Sequence, residues 1–105
     1  MIWDLSSDRP IYIQLIEEIE LRICTGVYFP GSKMPSVRDL AMQAAVNPNT
    51  MQRALSSLED SGLIYSQRTA GRFVTEDISL IKKTRAKLAK EHIEKFIDNM
   101  SELGF

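Results

Sequence analysis

Asn49, Gln52 and Arg53, with Thr50 and Ser56 beside them, are the side chains of this 105-residue sequence whose types and spacing suggest chemistry. An amide offers a donor and an acceptor side by side, and a guanidinium offers a planar fork of donors; these groups match the edges of adenine and guanine in a DNA major groove. At helical spacing Asn49, Arg53, Ser56 and Asp60 share one side, with Gln52 on its flank, while Met51, Ala54, Leu55 and Leu58 share the other. One face is built to pack and the opposite one is free. The free face carries short hydrogen-bonding groups and one arginine instead of the Lys and Glu of an ordinary solvated helix. Thr50 and the backbone N–H groups at the helix start suit a phosphate. The plainer alternative is a solvated surface, with Asn47 and Thr50 serving only the helix cap.

Other chemistries find little support. His92 is the only histidine and Cys24 the only cysteine, so neither a multi-cysteine metal site nor an internal disulfide can form, and no metal or cofactor is expected. No nucleophile stands at suggestive spacing from an acid and a base, and no glycine-rich phosphate loop occurs, which argues against an enzyme. No apolar run is long enough to cross a bilayer and residues 1–5 lack the blocks of a signal peptide, so a cytoplasmic protein without membrane association is expected.

A formal net charge of -1 is a poor start for a partner of nucleic acid, but the charge is unevenly spread. Residues 1–32 set Arg9 and Arg22 against Asp4, Asp8, Glu17, Glu18 and Glu20. Residues 33–75 set Lys33, Arg38, Arg53, Arg68 and Arg72 against only Asp39, Glu59 and Asp60, and residues 76–105 balance. The positive field therefore coincides with the segment that holds the free helix face.

The elements that would position these groups are legible. Tyr12, Leu15, Ile16, Ile19 and Ile23 recur at helical spacing, predicting an amphipathic helix over residues 10–25 that opens at Pro10 and closes at Gly26. A sharp turn at 29–32 follows. Ser36 then caps a short second helix with Val37, Leu40, Ala41 and Ala44 on its apolar face, running to about Ala45. Asn47 caps a third whose first residue is Pro48, where the missing N–H costs least, and Gly62 ends it. Two short helices joined by a tight turn form a helix-turn-helix. Residues 63–66 and 72–75 read as two strands of a hairpin with a basic tip at 67–71, a wing. A final helix over residues 78–103 carries Ile78, Ile81, Leu88, Ala89, Ile93, Phe96, Met100 and Leu103 as an apolar stripe. The expected fold class is α+β and mostly helical: a winged helix-turn-helix over residues 1–77 and a C-terminal helical dimerisation region over 78–105.

In this order the sequence resembles the GntR superfamily of bacterial regulators. The match runs through Pro10-Ile11-Tyr12 with Gln14, Gly26, Pro30-Gly31, Pro35-Ser36 with Arg38, Leu40-Ala41, Val46-Asn47-Pro48-Asn49-Thr50, Arg53-Ala54, Leu58-Glu59, Gly62-Leu63-Ile64 and Gly71 with Phe73-Val74. Each piece is weak alone, but so many at fixed offsets form a specific string. The Asn47-Pro48-Asn49-Thr50 wording and short C-terminal region resemble the YtrA-like branch, which pairs a winged helix with a small helical dimerisation unit. The resemblance implies a DNA-binding transcription regulator, with repression the expected mode, acting on double-stranded operator DNA. It implies that Arg38 meets the backbone or a guanine, that Asn49, Thr50 and Arg53 face the operator, and that the wing tip around Arg68 and Gly71 enters the minor groove. Lys33, Ser36, Asn47, Gln52, Thr69 and Arg72 complete the expected contact set. The family's wing has glycines two apart; here Thr69 takes the first place, with Arg72 adding a charge nearby.

The C-terminal stripe needs a cover. A second copy of the same helix would give a two-fold homodimer through Ile81, Leu88, His92, Ile93, Phe96, Met100 and Leu103, placing two recognition helices one DNA turn apart on a palindrome. The alternative cover is the chain's own winged domain, which the short Glu76-Asp77 link permits. Lys82, Lys83, Arg85, Lys87 and Lys90 form either a flanking phosphate contact or a solvated face. No residues outline a pocket for a small-molecule effector, whose existence is left open. The competing function is a winged-helix protein-interaction module in which the basic middle is incidental.

Overall fold

The computed structural model describes residues 2–105. It contains α1 (Ile11–Cys24), α2 (Val37–Ala44), α3 (Pro48–Asp60), β1 (Ile64–Gln67), β2 (Gly71–Val74) and α4 (Ile78–Glu102), in that order. This is a mostly helical α+β winged helix-turn-helix with a long C-terminal helix. The helix boundaries agree with the capping signals. Ser36 Oγ accepts from the Asp39 N–H at 3.1 Å, Asn47 Oδ1 from the Asn49 N–H at 2.7 Å, and Asp77 Oδ1 from the Leu80 N–H at 3.1 Å. Each satisfies a donor that the first helical turn would otherwise leave unpaired.

The apolar faces read from the sequence converge on one core. Leu15, Ile19 and Ile23 of α1 meet Leu40 of α2 and Met51, Leu55 and Leu58 of α3, and Leu63, Ile64 and Val74 close it from the wing. Between α2 and α3 the chain turns within three residues. Ala45 takes the left-handed conformation at φ 56°, its N–H and that of Val46 returning to Met42 O and Ala41 O. A residue with a Cβ normally avoids this region, so the turn holds local strain of about 1 kcal/mol. The partly buried Val46 packs against the core just beyond it.

β1 and β2 pair antiparallel from Ile64 opposite Val74 to Gln67 opposite Gly71. The hairpin has a third member that residue type did not mark. Met34 N–H donates to Arg72 O at 2.8 Å, Val74 N–H to Ser32 O at 2.9 Å and Gly31 N–H to Val74 O at 3.0 Å, and Lys33 bridges to Phe73. The turn after α1 thereby pairs its backbone along the free edge of β2. Two prolines at Pro30 and Pro35 concealed that strand character.

The N-terminal arm is tied across α1 by Gln14, which is buried. Its Oε1 accepts from the Ser6 N–H at 2.7 Å and its Nε2 donates to Ser6 O and Arg9 O at 2.8 and 2.9 Å. Arg22, 3% exposed, fills the other end, its guanidinium 4.0 Å from the Trp3 ring centroid and paired with Glu18 at 3.0 Å.

The last helix corrects an expectation. Ile81 and Leu88, assigned by periodicity to a dimerisation stripe, are only 3% and 7% exposed because the helix folds back on α1 of the same chain. Thr84 is buried with them, Arg85 donates two hydrogen bonds to Cys24 O at 2.8 and 3.3 Å, and Lys87 reaches Glu20 at 3.5 Å. Arg85 thus satisfies a carbonyl that α1 leaves open at its end. Beyond Leu88 the helix leaves the core, and Ile93, Phe96, Ile97 and Leu103 stand exposed. At 3.6 residues per turn these lie about 120° around the helix from Ile81, Thr84 and Leu88. The single stripe is two faces, one satisfied within the chain and one open.

Candidate nucleic-acid interface

Met51, Ala54, Leu55 and Leu58 anchor α3 with almost no exposure, and Asn49, Gln52, Arg53 and Ser56 are exposed on its other side. Thr50 is half-buried at the edge. Gln52 Nε2 donates to Ser56 Oγ at 3.3 Å, which holds that amide along the helix surface. Arg53 lies toward α1, its guanidinium carbon 3.6 Å from the centroid of the Tyr12 ring. Ser36 and Asn47 are exposed, but their side-chain oxygens are engaged as the caps of α2 and α3. The Asn47 amide nitrogen and the Ser36 hydroxyl hydrogen are still able to donate outward.

Ion pairing separates the expected DNA-facing cations into two groups. Lys33, Arg38, Arg53 and Arg68 are exposed and, among the described residues, have no carboxylate within 4.0 Å. Arg72 differs. Its Nε lies 2.5 Å from Glu59 Oε1, which also accepts from Ser66 Oγ at 2.6 Å. The hydrogen bond from Ser66 and then the Arg72 contact hold the Glu59 carboxyl below the usual carboxylate range. One carboxylate at the end of α3 thereby fastens both wing strands. Expected as a wing charge facing outward, Arg72 instead has its guanidinium committed at Nε, since an anion 13 residues earlier is close in space.

The wing tip comprises Arg68 and Thr69, both exposed, with Ala70 N–H returning to Gln67 O at 3.2 Å. Gly71 sits at φ 101°, a conformation that L side chains rarely adopt, and a Cβ there would come within 3.3 Å of Lys33 Cε. The glycine therefore lets the tip turn while Lys33 lies against it, and Thr69 is accommodated outside that tight position. Tyr65 and Phe73 stack across the strands with ring centroids 5.8 Å apart, stiffening the hairpin behind the tip. His92 is exposed on α4, lining an open groove of about 450 Å³ with Arg9, Leu21 and Lys95. Met100 is half-buried.

Two residues central to this surface were read from the sequence only as packing or motif positions. Tyr12 belonged to the apolar stripe of the first helix, and Glu59 to a family string. Nothing in local spacing reveals that one lies under Arg53 and the other beside Arg72, because both contacts cross between elements.

A capped helix-turn-helix with a polar, unpaired face on its second helix and a basic hairpin beside it is the arrangement of a winged-helix transcription regulator. Residues 11–74 match the family described as "Bacterial regulatory proteins, gntR family", and the chain belongs to that family. The HTH-type transcriptional repressor YtrA of Bacillus subtilis is 34% identical over 95 residues, covering 90% of this chain and 73% of that protein, in accord with the YtrA-like branch. A GntR family transcriptional regulator from Listeria monocytogenes superposes with a TM-score of 0.86 at 42% identity, covering 95% of this chain and 88% of the other. The AraR DBD in complex with operator ORX1 matches with a TM-score of 0.61 at 36% identity, over 68% and 87% of the two chains.

Proposed function

We propose that the chain is a repressor that binds a palindromic operator in the cytoplasm as a two-fold homodimer. Asn49, Gln52 and Arg53 read base edges in the major groove, Thr50, Ser36, Asn47 and Arg38 hold phosphates at the starts of the two helices, and Lys33, Arg68, Thr69 and Gly71 meet the adjacent minor groove. Arg72 acts through the wing's posture. The observation that carries this reading is the cluster of exposed cations on the helix-turn-helix and wing tip, Lys33, Arg38, Arg53 and Arg68, which among the described residues have no carboxylate partner, whereas Arg9, Arg22 and Arg72 are paired; Lys82, Lys83 and Lys95 of α4 are likewise without one. Free cations release counterions when they meet phosphate, and paired ones have less to gain. The likeness to a DBD bound to an operator supports the same docking.

The dimer rests on the second half of α4. Residues 78–88 bind the helix to its own winged domain, and Ile93, Phe96, Ile97, Met100 and Leu103 offer the seam to a second copy, with His92 at its margin. Residues 89–102, about 21 Å of helix beyond that packing, carry the seam clear of each winged domain.

The test is a fluorescence-anisotropy titration against duplexes from the chain's own upstream region over a range of salt. The four unpaired cations on each helix-turn-helix and wing tip contribute at most about -7 to the slope of log K against log salt for the dimer, and Lys82 and Lys83 of α4 add to it where they reach flanking phosphates. Arg53→Ala is expected to lose site preference with its circular dichroism unchanged. Binding that is absent, or that ignores salt, would overturn the proposal in favour of a protein-interaction module.

A further inference from the structure

We propose that Tyr12 of α1 is a positioning residue for operator recognition, holding the Arg53 guanidinium by its face so that its donor edge stays free for DNA. This rests on the assignment of Arg53 to the operator made above.

Arg53, exposed, and Arg72, partly buried, show two ways of ordering a surface arginine. Arg72 is ordered by a carboxylate, and the contact consumes a donor, since Nε bonds Glu59. Arg53 is ordered by an aromatic ring at 3.6 Å, which is van der Waals contact across the guanidinium face. Ring stacking uses the π surface of the cation and leaves its in-plane N–H groups without a competitor. Among the described residues the arginine side chains that donate to a protein acceptor are Arg9, Arg22, Arg72 and Arg85, and Arg53 is not one of them. The result is a fork of donors restrained in direction and unoccupied in the plane that a guanine edge or phosphate would share.

Tyr12 is well placed to restrain it. The residue is half-buried on the first turn of α1, one helical turn before the fully buried Leu15 and two before the fully buried Ile19, so the ring is carried by an element locked into the core. α1 packs on α3 more extensively than any other helix does. An arginine side chain free in solvent surrenders rotamer freedom on binding, and one already held in place surrenders less. The stack is present before and after binding, so what it adds to affinity is the ordering cost of one long side chain already met, which converts to about a three- to tenfold effect.

The experiment uses the full chain and two probes: a duplex recovered by genomic-fragment selection with the wild-type protein, and a scrambled duplex of equal length and composition. Tyr12→Phe retains the ring face and is expected to bind the selected duplex within about twofold of wild type. Tyr12→Leu is expected to weaken that duplex about three- to tenfold, leaving the scrambled duplex unchanged. In an Arg53→Ala background Tyr12→Leu is expected to have no further effect, because its partner is gone. Equal binding by Tyr12→Leu and wild type overturns the proposal, as does a Tyr12→Leu loss of the same size with and without Arg53, which would mark a purely structural role. Where Tyr12→Leu fails to melt cooperatively, Tyr12→Met runs the same cycle. The underlying assignment fails separately: Arg53→Ala binding the selected duplex as wild type does would remove Arg53 from recognition altogether.

Discussion

Replacing Ile81 by alanine tests to which body the first half of α4 belongs. Ile81 is 3% exposed and shares the core with Leu15, Ile19 and Leu58. Truncating a buried isoleucine removes transfer energy and leaves a cavity, costing about 2–5 kcal/mol. A domain of this size has a total stability of about 5–15 kcal/mol, so the loss is a large fraction of the whole. At about 4–5 °C per kcal/mol for a chain of this length the melting temperature falls by on the order of 10–20 °C. The assay is thermal unfolding followed by circular dichroism across a dilution series, with urea unfolding to check that the slope against denaturant is unchanged. The drop is expected to persist at the lowest concentration, where association no longer contributes. The packing assignment is refuted if the dilute variant melts within about 2 °C of wild type while its self-association is weakened. That result would move Ile81 from the chain's own core to a seam between copies.

The open face of α4 has the opposite expectation. Phe96→Glu, at a site 62% exposed, is expected to leave the monomer melt nearly unchanged. It should raise the dimer dissociation constant by at least about a hundredfold, since an aromatic buried from each protomer contributes about 1.5–3 kcal/mol; equal sedimentation of variant and wild type would count against the seam. Glu59→Gln is expected to loosen the wing and cost about 1 kcal/mol at neutral pH. Because the folded-state pKa of Glu59 is lowered, its stabilisation is present above the ordinary carboxylate value and lost as pH falls through the lower folded value. The difference in urea stability between wild type and Glu59→Gln should therefore shrink on acidification from pH 6 to below about 4. A difference that is flat across this range would show that the carboxylate charge does not hold the hairpin.

The helix-turn-helix is legible in the sequence because its information is local. Ser36 and Asn47 mark the helix starts by their own capping chemistry, Pro48 suits a first helical position, and the apolar spacing of Met51, Ala54, Leu55 and Leu58 states which face of α3 is buried. The hairpin was readable for the same reason. Its third segment was not, since Lys33 and Met34 lie between prolines and acquire strand character only from the edge of β2. The C-terminal helix shows the limit most clearly. Periodicity establishes that residues 78–102 are helical and amphipathic, but an apolar residue carries no label for the surface that will cover it.

Arg38, Arg53, Arg68 and Arg72 are alike in composition and lie within one basic segment. Local pattern sufficed to determine the fold of that segment and the exposed side of its third helix. Which arginine is free, which is stacked and which is paired depends on Tyr12 and Glu59, neighbours brought from 41 and 13 residues away by the packing of α1 and the wing on α3. Such contacts are set by the geometry of the shared core, because charge and ring interactions act across space at distances of a few ångströms and are indifferent to separation along the chain.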